Sequence, residues 1–495
     1  MRIFYCLLLG ALLLYVPVNA QSVFEVDGLC YKVLTEADEA TTFGTVEIVP
    51  RENGFYEGTV NIPNGVKSSK GQYADTYKVV AIAEKAFQNC MSLEKVTVPA
   101  SVESIGQNAF AGCVSLETII FAKGNLRTMG REVFKGAGIK HIVIPEGITE
   151  LPWLAFYGCK NLTDVVLPAT LKTIGCSAFA QCSSLREIKL PDGLQEIMLN
   201  CFGQSGIERL KIPSKIVVIP NRLCGGCKNL KEVELSQNTM KIEESAFAGC
   251  ASLIEISLPE KLMTIESMAF CQCKSLDNIV LPENILLIGT GAFDECSSLK
   301  SIAFPKNLKQ IESGAFRDCV SLENIKIVKD CLPSLGNAIF SGTSITTIEI
   351  PEGVKVIPEG MFKFCKRLKT VVLPRTLEKI GASAFLNCET LKEINISPKV
   401  TEIGEACFSG CVAIEKIELP NCLQEIPVEC FQSCSNLQEM NIPESVKVIG
   451  KLAFSGCKSL KKVVFPKRAF TVEKHAFGYT PTLIEFVNKP EGLKL

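Results

Sequence analysis

Cysteine is the residue type with the most capacity for chemistry in this chain, with 24 among 495 residues. Fourteen of them recur at a common spacing: Cys90, Cys113, Cys159, Cys182, Cys227, Cys250, Cys273, Cys296, Cys319, Cys365, Cys388, Cys411, Cys434 and Cys457. Regularly spaced thiols could form disulfides, hold a metal or run redox chemistry. Arithmetic argues against the first. Gaps divide the fourteen into two pairs and two runs of five, and a run of five cannot pair off internally. Cys224-Gly-Gly-Cys227 has the spacing of a redox CxxC, but no βαβ pattern surrounds it. Cys271 and Cys273 have no histidine nearby to complete a zinc ligand set. The cysteines are therefore expected to be reduced, buried thiols that act as small apolar fillers.

Other chemistry has little to stand on. The sequence has no Gly-rich phosphate loop and no Ser elbow. Glu232, Glu234 and Glu255 could supply the carboxylate pair of a glycosidase, although clustered exposed glutamates ordinarily mark a solvated face. No enzyme activity, cofactor or metal is expected. The balance of 52 basic and 53 acidic residues gives no electrostatic reason to bind nucleic acid or an anionic membrane.

The elements that carry these residues are repeats. "VTVPASVESIGQNAFAGCVSL" runs from Val96 to Leu116, and "LPENILLIGTGAFDECSSL" from Leu281 to Leu299. The phase is set by Phe87, Phe110, Phe134, Phe156, Phe179 and Phe202, and again from Phe247 to Phe477, with Cys224 in the phenylalanine place between. Seventeen intervals cover 390 residues, a mean near 23. That period, with this apolar spacing, predicts a leucine-rich solenoid of about eighteen coils. In each coil a strand such as Leu93, Val96 and Val98 faces the core, and Lys95 and Thr97 face out. Pro99 or its equivalent ends the strand, because proline has no N–H for the ladder. Ile105, Ala109 and Phe110 fill the core from the far side. Three copies lack the cysteine, at Ala137, Ser205 and Thr343, and there the next strand starts one residue early at Ile139, Ile207 and Ile345. His141 and His475 stand some fifteen coils apart, roughly 70 Å at about 4.8 Å per coil, so they cannot share a site.

The chain starts with an export signal: Arg2, an apolar run from Ile3 to Val16, and Val18-Asn19-Ala20 as cleavage site. No second apolar run is long enough to span a bilayer. The expected organisation is a signal peptide over 1–20 and a β-rich cap over 21–77. A solenoid over 78–483 follows, with the end of the last coil at 484–495. Asp27-Gly28 between alternating segments predicts a two-residue hairpin turn in the cap.

The unit "IPxxVxxIGxxAFxxCxxL" resembles the BspA-type (treponemal-type) leucine-rich repeats of bacterial surface proteins, from about Lys78 to Leu483. The segments "FEVDGLCYKVL", "GTVNIP" and "TYKVVAIAEKAF" are also similar to that family. The resemblance implies a cell-surface or periplasmic solenoid, and in some relatives adhesion to host proteins or other cells. Many relatives carry a C-terminal anchor; none is recognised in "TPTLIEFVNKPEGLKL". The expected fold is a repeat solenoid: a right-handed curved coil, mostly β with short irregular turns. A parallel β-sheet would line its concave face, behind an N-terminal β-hairpin cap.

Solenoids bind on that concave surface. Its outward positions place Ile120, Val143 and Val166 in an apolar stripe, with Lys189, Arg209 and Lys211 beside it. The same β-branched residues would also suit a parallel strand without any partner. Trp153, the only tryptophan, is expected on a turn, partly exposed, as an interface anchor or an ordinary surface residue. Two classes of function remain. One is a protein-binding adhesin or surface receptor. The other is a periplasmic or surface accessory that binds glycans or scaffolds envelope proteins. The outward strand positions offer no row of aromatic rings for a glycan, which favours a protein partner.

Overall fold

A computed structural model describes residues 22–36, 43–68, 76–327, 331 and 333–489. The segment expected to be an export signal and the last six residues lie outside the described residues. Among the described residues there is no helix; the chain is a mostly-β repeat solenoid with parallel sheets.

Each coil has three sides, and the one around Phe110 illustrates them. The first side is the strand Leu93–Val98, buried at Leu93, Val96 and Val98. It pairs in parallel with Gly58–Asn61 in the coil before and Thr118–Phe121 in the coil after. This is the strand read from the sequence. The second side is Ser104–Ile105, only two residues long, which pairs in parallel with Thr76–Ile82 and Thr128–Met129. Ile105 is thus more than a filler from the far side, because it belongs to a second ladder. The third side is the turn holding Ala109 and Phe110. There the N–H groups of Asn108, Phe110 and Gly112 donate to the carbonyls of Arg131, Val133 and Lys135 at 2.8–2.9 Å.

Backbone hydrogen bonds therefore join neighbouring coils on all three sides, which satisfies the buried peptide groups without helices. The third side requires left-handed backbone two residues before and two after each phenylalanine, as at Asn108 (φ 57°) and Gly112 (φ 74°). Met268 and Leu452 adopt it too, at φ 56° and 58°. Such a conformation costs a non-glycine residue roughly 1–2 kcal/mol, so the inter-coil ladder must hold it in place. The glycine of the Ile-Gly pair has a different task. A Cβ on Gly106 would lie 2.4 Å from the Glu84 nitrogen, so only glycine lets the two backbones approach this closely.

The phenylalanines stack through the middle of the molecule. Ring centroids are 5.0 Å apart between Phe87 and Phe110 and 5.3 Å between Phe156 and Phe179. The column is interrupted at Cys224, between Phe202 and Phe247. Aromatic residues close its ends. Tyr56 lies 4.7 Å from Phe87, its hydroxyl donating to the Val49 carbonyl and accepting from the Cys30 N–H. At the other end Phe465 and Phe486 close over Phe477.

Before the first full coil, Val23–Val26 and Leu29–Thr35 form the expected antiparallel hairpin, with Asp27 and Gly28 both at positive φ. Gly44–Ile48 then runs antiparallel to Leu29–Thr35 and parallel to Thr76–Ile82. The first-side sheet is not one continuous ladder. Strand pairing lapses at 185–190, 276–281 and 414–419, although Leu185, Ile188 and Leu190 stay buried.

Candidate functional site

The cysteines, chemically the strongest candidates, belong to the core. From Cys113 to Cys457 each ladder thiol donates to the carbonyl at the phenylalanine position one coil back. Examples are Cys113 to Phe87 at 2.9 Å, Cys182 to Phe156 at 3.1 Å and Cys273 to Phe247 at 3.2 Å. This corrects the expectation of purely apolar fillers: the position wants a small side chain that also donates. Burial pushes the thiols of Cys113, Cys159, Cys365 and Cys457 up to about 12. Neutral, enclosed thiols are poor nucleophiles and poor metal ligands. Cys224 and Cys227 are buried as well. The Cys227 thiol donates to the Phe202 carbonyl at 2.9 Å, which gives the CxxC spacing a structural explanation. No group of three His, Cys, Asp or Glu side chains suited to a metal ion occurs among the described residues.

Of the three glutamates on the first side, Glu232 and Glu234 form ion pairs. Glu232 stands opposite Glu255 on paired strands, but Arg209 Nε lies 3.6 Å from Glu232, and Lys211 Nζ lies 2.6 Å from Glu234. Glu232 and Glu234 are well exposed. A glycosidase acid needs a drier environment to keep its proton. Arg186 and Lys231 both hold Glu208, at 2.7 and 2.8 Å, and lower its carboxyl below the usual range, with Lys231 the larger cause.

Thr118–Phe121, His141–Val143 and Asp164–Val166 are neighbouring parallel strands. The pairs Thr118–His141 and Val143–Val166 bring Ile120, Val143 and Val166 side by side. Their exposures are 44%, 50% and 46%. At the edge of the stripe His141 Nδ1 lies 2.7 Å from Asp164 Oδ2. Lys189 is exposed one coil on, in a segment without strand pairing. Arg209 and Lys211 sit on the next strand, and each faces a carboxylate. Trp153 is not brought to this face. It lies in the turn after Glu150–Leu151, 40% exposed, with the Arg131 guanidinium 4.3 Å from its ring. His475 is exposed near the far end of the array.

A second apolar row escaped the sequence reading. Val217, Met240, Met263 and Leu286 occupy one repeat position, seven residues before the phenylalanine place. The signal for it is the run of apolar residues at that one position in four successive repeats.

A family model described as "BspA type Leucine rich repeat region (6 copies)" matches residues 80–202, 150–277, 240–369 and 355–484, which overlap to cover most of the chain. No curated protein matches the sequence. Among solved structures, a leucine-rich repeat protein from Bacteroides ovatus is 26% identical, with a TM-score of 0.55, over 94% of this chain and 98% of that one. A leucine rich cell surface protein from Faecalibacterium prausnitzii is 21% identical over 95% of each chain, with a TM-score of 0.28. The pneumococcal vaccine antigen PcpA is 18% identical over 95% of this chain and 99% of that one, with a TM-score of 0.30.

Proposed function

This chain belongs to the BspA-type leucine-rich repeat family, and from that premise we propose that it is an exported, non-catalytic protein that binds a protein partner in adhesion or host and cell-surface contact. The contact is made through the outward face of the first-side sheet, centred on Ile120, Val143 and Val166. The observation that carries this reading is three large aliphatic side chains, each about half exposed, adjacent on in-register strands. A contiguous exposed apolar row is the kind of surface that marks a contact site. The family match and the cell-surface relative support a display role. Lys189, Arg209 and Lys211 form the polar border of the contact, where rim charges affect the rate of encounter more than affinity.

The test has two arms. Protease added to intact cells should degrade the protein; complete resistance in intact cells, with digestion after lysis, would sink the surface reading. The double variant Ile120→Glu with Val143→Glu should weaken capture of the partner by at least about tenfold, as loss of a central apolar anchor does. Unchanged capture would show that the patch is wrongly placed.

A further inference from the structure

The second side of the coil carries a feature that the first-side reading does not use. Val217, Met240, Met263 and Leu286 follow one another in successive coils. The Met240, Met263 and Leu286 N–H groups each donate to the carbonyl of the residue before it in the row, at 2.8 Å. At about 4.8 Å per step, the four side chains form a straight row roughly 14 Å long. Val217, Met240 and Met263 are 44%, 45% and 37% exposed, and Leu286 is half-buried. In the coils on either side this repeat position is polar: Thr149, Lys172 and Gln195 before the row, and Lys309 where it ends.

Charge around the row is unbalanced. Met240, Met263 and Leu286 line an open depression of about 680 Å³ together with Lys261, Lys306 and Lys309, and no acidic residue lines it. Some lysines elsewhere reach a carboxylate one coil away, as Lys211 reaches Glu234 and Lys379 reaches Glu402. Several carboxylates near the row are already engaged, and exposed Glu260 and Glu283 stand outside the lining of the depression. Lys241 holds Glu243 and Glu266, and Glu312 accepts from the Thr290 N–H and hydroxyl. Lys261, Lys306 and Lys309 pair with no carboxylate among the described residues; Lys261 donates only to the Asn238 side-chain oxygen, at 2.8 Å. In a chain whose formal net charge is −1, this is a local excess of three positive charges beside an apolar row.

We propose that this row is a docking site for an acidic amphipathic helix of a partner protein, lying along the solenoid axis. The charge fixes the sign of the partner: its apolar stripe must be flanked by Asp or Glu to meet the three unpaired lysines. The spacing fits a helix. Side chains at i, i+3 or i+4, and i+7 advance about 5.3 Å per contact, close to the strand spacing, and methionine adjusts to the remainder. The open shape also favours a helix over a small apolar ligand, which needs a site that encloses most of its surface. A helix covers the row with one face and keeps the other in water.

The experiment uses the full chain and a fluorescent synthetic peptide of about 18 residues, with leucine on one helical face and glutamate along both borders. A matched peptide carries lysine in place of every glutamate. Fluorescence anisotropy should show saturable binding of the acidic peptide, weakened by salt, and none of the basic one. Met240→Glu with Met263→Glu should weaken binding at least tenfold. Lys261→Glu, Lys306→Glu and Lys309→Glu together should reverse the preference, so that the basic peptide binds instead. That reversal needs a folded protein, so it cannot arise from misfolding. The Ile120→Glu and Val143→Glu variant should bind the acidic peptide as the parent does, which separates this site from the first-side contact. Equal binding of both peptides overturns the proposal. So does acidic-peptide binding that survives the lysine reversal, or binding of phosphatidylglycerol vesicles without binding of the peptide.

Discussion

In the coils of Phe270 and Phe293 the interiors are near copies: stacked rings 5.3 Å apart, and thiols at Cys273 and Cys296 donating to carbonyls one coil back at 3.2 and 3.1 Å. The outward residues of these same coils differ, with exposed Ser257 against exposed Val280 on the first side. The interior is constrained because each side chain must fit copies of itself on both sides at a fixed spacing. An outward residue has only to be soluble, or to suit a partner. Function is therefore to be sought where an outward row departs from the paired charges of its neighbours. The two apolar rows differ in this respect. Among the described residues, beside Ile120, Val143 and Val166 the cations Arg209 and Lys211 are paired and Lys189 is not, whereas beside Met240, Met263 and Leu286 none of the three lysines is paired.

The contrast between inside and outside predicts effects of different size. The largest is a response to alkaline pH. Unfolded thiols release their protons near the ordinary value of 9.0, while those of Cys113, Cys159, Cys365 and Cys457 hold them to about 12. Between these values the folded state binds more protons. The contribution is thus complete below pH 9 and is lost as pH rises towards 12, at up to about 1.4 kcal/mol per pH unit for each thiol. Urea midpoints at pH 8 and pH 10.5 should differ by a wide margin, and replacing ladder cysteines with serine should shrink the difference. A flat profile would mean that the ladder is open to water.

Phe293→Ala should cost about 3–5 kcal/mol in urea unfolding, because the ring stacks on Phe270 and Phe316. A loss below about 1 kcal/mol would break the claim that the interior is the constrained region. Cys273→Ala should cost about 1–3 kcal/mol by leaving the buried Phe247 carbonyl with one donor fewer. Cys273→Ser should recover part of that loss, and equal costs would return the position to a plain apolar filler. The smallest effect lies outside. Arg209→Ala with Lys211→Ala removes two exposed ion pairs and should change stability by less than about 1 kcal/mol, with the difference fading in high salt.

Much of this was legible in the sequence. The 23-residue period, the phenylalanine phase and the alternation at Leu93, Val96 and Val98 gave the coil and the direction of its first side. They also placed Ile120, Val143 and Val166 together, since residues one period apart in a stacked solenoid are neighbours. Asp27-Gly28 gave the hairpin, because few residue pairs accept positive φ at both positions.

Other features depended on three-dimensional neighbours. Two residues per coil, as at Ser104–Ile105, are too few to show strand alternation, so the second ladder and the methionine row on its outer face went unseen. The left-handed backbone at Met268 left no trace in residue type, because it is held by the hydrogen bond from its N–H to the Thr290 carbonyl in the next coil. The ion pairs of Arg209 and Lys211, and the missing ones of Lys261, Lys306 and Lys309, depend on whether a carboxylate comes within a few ångströms one coil away. The sequence by itself determined the repeat and its inward residues, since periodicity is a property of the chain. Which thiols donate, which charges are satisfied and which apolar row is left beside open cations was decided only by the stacking of one coil on the next.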